Sequence, residues 1–104
     1  MRAEIRVTPQ AEEQAVAAAS WWAQNRVAAP GLFTDELLGA LDMLSGTPDV
    51  GRRYRRARIP GLRRILLPRT RYHVYYVHEP ESCKVVVLAV WSAVRGQGPE
   101  LASP

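Results

Sequence analysis

The sequence predicts an α+β fold: an N-terminal strand, an antiparallel two-helix hairpin, and a small antiparallel sheet that the hairpin covers on one face. Three observations predict it. A short alternating segment comes first, two stretches in the first half then carry apolar residues at helical spacing, and three short stretches rich in Val, Leu, Ile and Tyr follow with gaps of hairpin length. The element order is therefore β-α-α-β-β-β, with the whole chain, 1–104, read as one domain whose core spans 4–96.

Glu4 to Thr8 alternates, with Ile5 and Val7 on one side, and reads as the first strand. Thr8-Pro9 is a helix start, a hydroxyl cap followed by a proline whose missing N–H costs nothing there. Ala11, Ala15, Ala18, Ala19 and Trp22 recur at helical spacing, so the first helix should run to about Arg26, before Pro30-Gly31 breaks the chain. Phe33, Leu37, Leu41 and Leu44 make the buried stripe of a second helix, Leu32 to Leu44, ended by Ser45-Gly46-Thr47-Pro48. Asp49 to Gly61 reads as a basic loop. The remaining strands are Arg63 to Leu67, Tyr72 to His78, and Lys84 to about Trp91. Residues 97–104, with Gly and Pro, read as a weakly structured tail.

Charge is unevenly distributed. Residues 1–49 hold three arginines against seven acids, whereas 50–104 hold eleven basic residues against three glutamates. Positions 52–71 alone carry nine arginines and no acid, which points to a polyanionic partner, either nucleic acid or an acidic protein segment. One cysteine, Cys83, excludes an internal disulfide, and with only His73 and His78 beside it no metal centre is expected, nor any cofactor. No apolar run approaches a membrane span and no secretory leader is evident, so a cytoplasmic location is expected.

Strand parity divides the sheet into two faces. Ile65 and Leu67, Val74 and Tyr76, and Val86, Leu88 and Val90 should pack on the helices with Ile5 and Val7. Arg64 and Leu66, His73, Tyr75 and Val77, and Val85, Val87, Ala89 and Trp91 should form the reverse face, with Arg95 on the same parity and no remaining element to cover it.

Several local patterns carry a resemblance to a known family. The helix stripe from Phe33 to Leu44 leads into Thr47-Pro48 and Gly51. Arg63-Arg64-Ile65-Leu66-Leu67-Pro68 precedes Tyr72-His73-Val74-Tyr75-Tyr76-Val77, and a valine strand runs from Lys84 through Trp91 to Arg95. In this order they resemble the RelE/ParE toxin superfamily of type II toxin–antitoxin systems over roughly residues 4–96. The resemblance implies a growth-inhibiting toxin, held in a hetero-oligomer by a cognate antitoxin whose disordered, acidic, amphipathic segment folds on binding, contacting the basic face together with Val85 and Val87.

Within the superfamily, nucleases cut mRNA on the ribosome with basic residues on the sheet face and a Tyr or His near the C-terminus. Here Arg64 and Arg95 occupy matching places and His73 stands where Arg is usual, so Arg64, His73 and Arg95 would be the catalytic set of an mRNA endonuclease. No Tyr or His follows His78, however, so the terminal acid/base is missing. That departure favours the ParE-like members, which inhibit DNA gyrase by binding and are associated with plasmid stabilization. The residues expected to meet target or antitoxin are Arg52, Arg53, Arg58, Arg64, Arg71, Tyr75, Trp91 and Arg95. A non-toxic nucleic-acid-binding domain is the third reading, supported by the arginine cluster alone.

Overall fold

A computed structural model describes residues 2–103. Its elements are β1 (Glu4–Val7), α1 (Pro9–Asn25), α2 (Leu32–Gly46), β2 (Arg52–Arg53), β3 (Leu62–Leu67), β4 (Tyr72–Glu79) and β5 (Lys84–Ser92). They form two helices on one five-stranded sheet of order β1-β5-β4-β3-β2, in which only the β1–β5 pair is parallel. Among the described residues, no helix is long and apolar enough to cross a membrane.

Local chemistry accounts for the element ends. The Ala11 amide donates to Thr8 Oγ1 at 3.2 Å, and Pro9 occupies the first turn of α1. Both long hairpins close through four residues whose last member has positive φ, Arg71 (63°) after β3 and Cys83 (54°) after β4. A non-glycine residue in this left-handed region costs roughly 1–2 kcal/mol. At Arg71 the backbone is held on both sides: its amide donates to Leu67 O at 2.8 Å, and its carbonyl accepts from the Ala93 amide at 2.8 Å.

The main core lies between helices and sheet. Ala11, Ala18, Phe33 and Leu44 meet Leu67, Val74, Tyr76, Val85, Val87 and Val90 there. Alanines on the inner side of α1 let the helix approach β5 closely. Where β1 ends, α1 takes over the exposed strand edge, and Gln14 Oε1 accepts from the Val90 amide at 2.8 Å.

Three expectations from strand parity are corrected here. Tyr75 pairs with Ala89 but Tyr76 pairs with Val87, so Leu88 is the extra residue of a β-bulge. Before the bulge, Val85 and Val87 face the helices, not the reverse face, and Val86 and Leu88 lie on the reverse face, not under the helices. After it, Val90 points to the helices and Ala89 and Trp91 away from them, as alternation required. Val7, at the free edge beside α1, stays 41% exposed, whereas Ile5 packs on the core.

The stretch Asp49 to Gly61 is not only a loop. Arg52 and Arg53 pair with Arg64 and Arg63 as β2. The segment after them turns back over the sheet through Pro60-Gly61, with Gly61 at φ 75°. Tyr54, Ala57 and Ile59, together with Leu101 from the C-terminal segment, therefore cover a second core of Leu62, Tyr75, Val77, Val86, Leu88 and Ala89. The reverse face is sealed by the chain's own residues at the Leu62–Val77–Val86 end and open only toward Leu66, His73 and Trp91.

Candidate functional site

The reverse face carries a band across four strands, covered at Tyr75 and Ala89 and open at Leu66, His73 and Trp91. Cross-strand partners share a face, so Arg52, Arg64, Tyr75 and Ala89 form one row and Leu66, His73 and Trp91 the next. Arg64 and His73 thus share a surface. Arg95 joins it through Trp91, with its guanidinium 4.4 Å from the indole centroid. Tyr75 departs from expectation: it is 2% exposed, under the Tyr54 ring at 5.1 Å, and its hydroxyl accepts from Arg64 at 3.3 Å. Its role is to orient Arg64, whose guanidinium also lies 4.8 Å from the Tyr54 ring.

Two grooves flank this band. One, of about 750 Å³, runs along the outer edge of β3 under α2 and is lined by Arg52, Arg64, His73, Leu66, Val50 and Met43 among others. Because β2 is only two residues long, β3 has no neighbouring strand beyond Arg64, and Leu66, Val50 and Met43 are exposed there. The second, of about 960 Å³, lies between α1 and the far end of β4–β5 and contains Arg71, Trp91 and Arg95. Arg53 and Arg58 belong to neither groove; they border a smaller recess of about 400 Å³ beside Tyr54. The expected contact residues therefore fall into three sets around one sheet.

His73 is half-buried, and that burial, then the neighbouring charges of Arg64 and Arg71, holds its imidazole below the usual histidine range. The same burial and charges favour its neutral form. His78, to which sequence reasoning assigned nothing, has a structural partner: its Nδ1 lies 2.9 Å from Asp49 Oδ1. Arg63 Nε is 3.8 Å from the same carboxylate, and its guanidinium donates to Gly51 O at 2.8 Å. The Gly51 amide donates to the Tyr76 hydroxyl at 2.9 Å, and burial raises that phenol's pKa. This network fixes the root of β2, and with it Arg52. At the opposite hairpin, the Glu36 carboxylate accepts from the amides of Arg69 and Thr70 and from the Thr70 hydroxyl, at 2.8, 2.9 and 2.7 Å, anchoring the turn that carries Arg71.

Sequence reasoning missed Arg26 and Arg69 in the larger groove. Arg26 stands 5.2 and 5.5 Å over the Trp21 and Trp22 rings, and its position four residues after Trp22 was a readable helical signal. Arg69 had none, because its placement depends on Glu36, distant in sequence. Among the described residues, no group of three or more His, Cys, Asp or Glu side chains could hold a metal ion.

A family profile described as ParE toxin of type II toxin–antitoxin system, parDE, matches residues 5–95. Among solved structures, a chain of the "Chromosomal ParDE TA system from P. aeruginosa" matches with a TM-score of 0.66 and 14% sequence identity, over 88% of this chain and 96% of that one. That likeness shows a shared fold. No curated protein matches the sequence.

Proposed function

The chain belongs to the ParE toxin family of type II toxin–antitoxin systems, and on that premise we propose that it is a toxin that arrests growth by binding DNA gyrase, without chemistry of its own, and that a cognate antitoxin neutralises it. The observation that carries the reading is the family match across residues 5–95, all seven elements but the first residue of β1. The basic surface supports it: among the described residues lining the groove with Arg52 and Arg64, the one carboxylate is Glu36, whose oxygens already accept from Arg69 and Thr70. The groove at the β3 edge suits an antitoxin segment, since it offers aliphatic residues, arginines and an unpaired strand edge to one extended, acidic, amphipathic peptide.

The test is inducible expression with and without the neighbouring antitoxin gene, together with purified protein in gyrase supercoiling assays. The expected result is growth arrest relieved by the antitoxin, inhibited supercoiling and intact mRNA. Unimpaired supercoiling with codon-positioned mRNA cuts would overturn it. That outcome defines the second reading, an mRNA endonuclease, which one observation favours: His73 is held neutral beside Arg64 and Arg71, as a general base facing a phosphate would be. Under that reading His73→Ala abolishes toxicity; under the first it leaves gyrase inhibition in place.

A further inference from the structure

The larger groove differs from the β3-edge groove in chemistry. Its lining includes the indoles of Trp21, Trp22 and Trp91, and its cations, Arg26, Arg69, Arg71 and Arg95, come from three separate segments. Among the described residues, no Asp or Glu lines it. Two of the rings are fixed by their own N–H groups: Trp22 Nε1 donates to Ala29 O at 3.1 Å and Trp91 Nε1 to Gln97 O at 2.8 Å. Arg26 and Arg95 each lie against an indole, and Arg26 also donates to Asn25 O at 3.3 Å, which leaves its remaining N–H groups and those of Arg95 for an anion. Arg71 is carried into the groove by a left-handed backbone that both flanking hydrogen bonds enforce, although glycine would adopt it without strain.

We propose that this groove binds an unpaired nucleic-acid strand, its bases stacking against the indoles and the guanidinium planes laid over them and its successive phosphates met by the arginines. Stacking platforms combined with cations that track a backbone are how single strands are held without sequence preference. A duplex hides the base faces that the indoles would need. An acidic peptide would satisfy the arginines but has its aliphatic counterpart in the other groove. A free nucleotide would present its charge at one point, whereas these arginines come from the C-terminal cap of α1, the β3–β4 turn and the segment after β5. The inference does not rest on gyrase as the target.

The experiment is fluorescence anisotropy with the full-length protein and a labelled DNA strand of about 12 nucleotides in about 0.1 M salt. The strand is expected to bind with quenching of tryptophan emission, about tenfold or more tighter than the same sequence as duplex, and to weaken as salt rises. Arg71→Gly is expected to weaken binding about five- to tenfold while the melting temperature holds or rises, which separates the effect from unfolding. Arg6→Ser, which removes an equal charge from β1 where Arg6 pairs with Glu4, is expected to change affinity less than about twofold. Duplex binding as tight as the single strand would overturn the proposal. So would displacement by a nucleoside triphosphate or polyglutamate as effective as by unlabelled strand, or an Arg6→Ser loss equal to that of Arg71→Gly. Gyrase inhibition alongside any of these results would leave the toxin reading standing and remove only this one.

Discussion

At position 51 only a hydrogen atom fits as a side chain. A Cβ there would lie 2.6 Å from the Tyr76 hydroxyl and 2.9 Å from its ring, and that ring is wholly buried. Gly51→Ala should therefore destabilise the protein by about 2 kcal/mol in urea unfolding, because a packed ring cannot retreat. Tyr76→Phe should cost about 1 kcal/mol, the loss of one hydrogen bond to a buried amide. A smaller loss in the glycine variant than in the phenylalanine variant would show that the contact is softer than the geometry implies. The strictest residue in this region is thus one with no side chain, and the sequence could show only that Gly51 follows Thr47-Pro48, not that a tyrosine 25 positions later would press on it.

At the scale of elements, legibility followed contrast. Both helices could be read closely because Thr8-Pro9, the Ala stripe and the Phe33–Leu44 spacing each contrast with their surroundings. The bulge could not be read, because Val85 to Val90 is apolar at every position and a one-residue slip leaves no mark on a pattern without polar members. The same uniformity is what allows the slip, since either face can accept any of these side chains. β2 was hidden for another reason: two arginines carry no strand pattern, and their pairing is set by β3. In the candidate site, the cross-strand grouping of Arg64, His73 and Trp91 followed from alternation, whereas the burial of Tyr75 depended on a covering segment that composition alone marked as loop. That cover can be tested. Leu101→Ser should cost about 1 kcal/mol in thermal or urea unfolding, by uncovering apolar surface of the second core. No change would mean that the C-terminal segment rests on the sheet without stabilising it.

For the whole molecule, two carboxylates and one histidine link stability to pH. Burial opposes ionisation of Glu36, but hydrogen bonds from the Thr70 hydroxyl and the Arg69 and Thr70 amides outweigh it and hold its pKa below the ordinary value. Asp49 is also held low, first by the His78 hydrogen bond against some burial, then by the charges of His78, Arg63 and Arg53. A carboxyl pKa lower in the folded state than in the unfolded one gives stability that is complete above about pH 5 and is lost as pH falls through about 4 and lower. Unfolding free energy should therefore decline on acidification in two stages. A first loss, below about pH 6.5, comes from His73, whose charged form the fold disfavours. A second, below about pH 5, comes from the carboxylates. Glu36→Gln should both lower the neutral-pH stability by about 1–2 kcal/mol and shallow the second decline. An unchanged acid limb in that variant would remove Glu36 from the account. Charge at this scale also governs association. With nine arginines in positions 52–71, the rate of antitoxin capture should drop about tenfold or more between low and physiological salt in stopped-flow measurements, with dissociation changing less.

The parallel pairing of β1 with β5 has a temporal consequence. The first strand to leave the translation machinery must wait for the last, because Glu4 to Val7 find their partners only at Lys84 to Val87. A nascent chain that lacks its final quarter cannot close the sheet, so a surface able to meet a target exists only when synthesis is nearly finished.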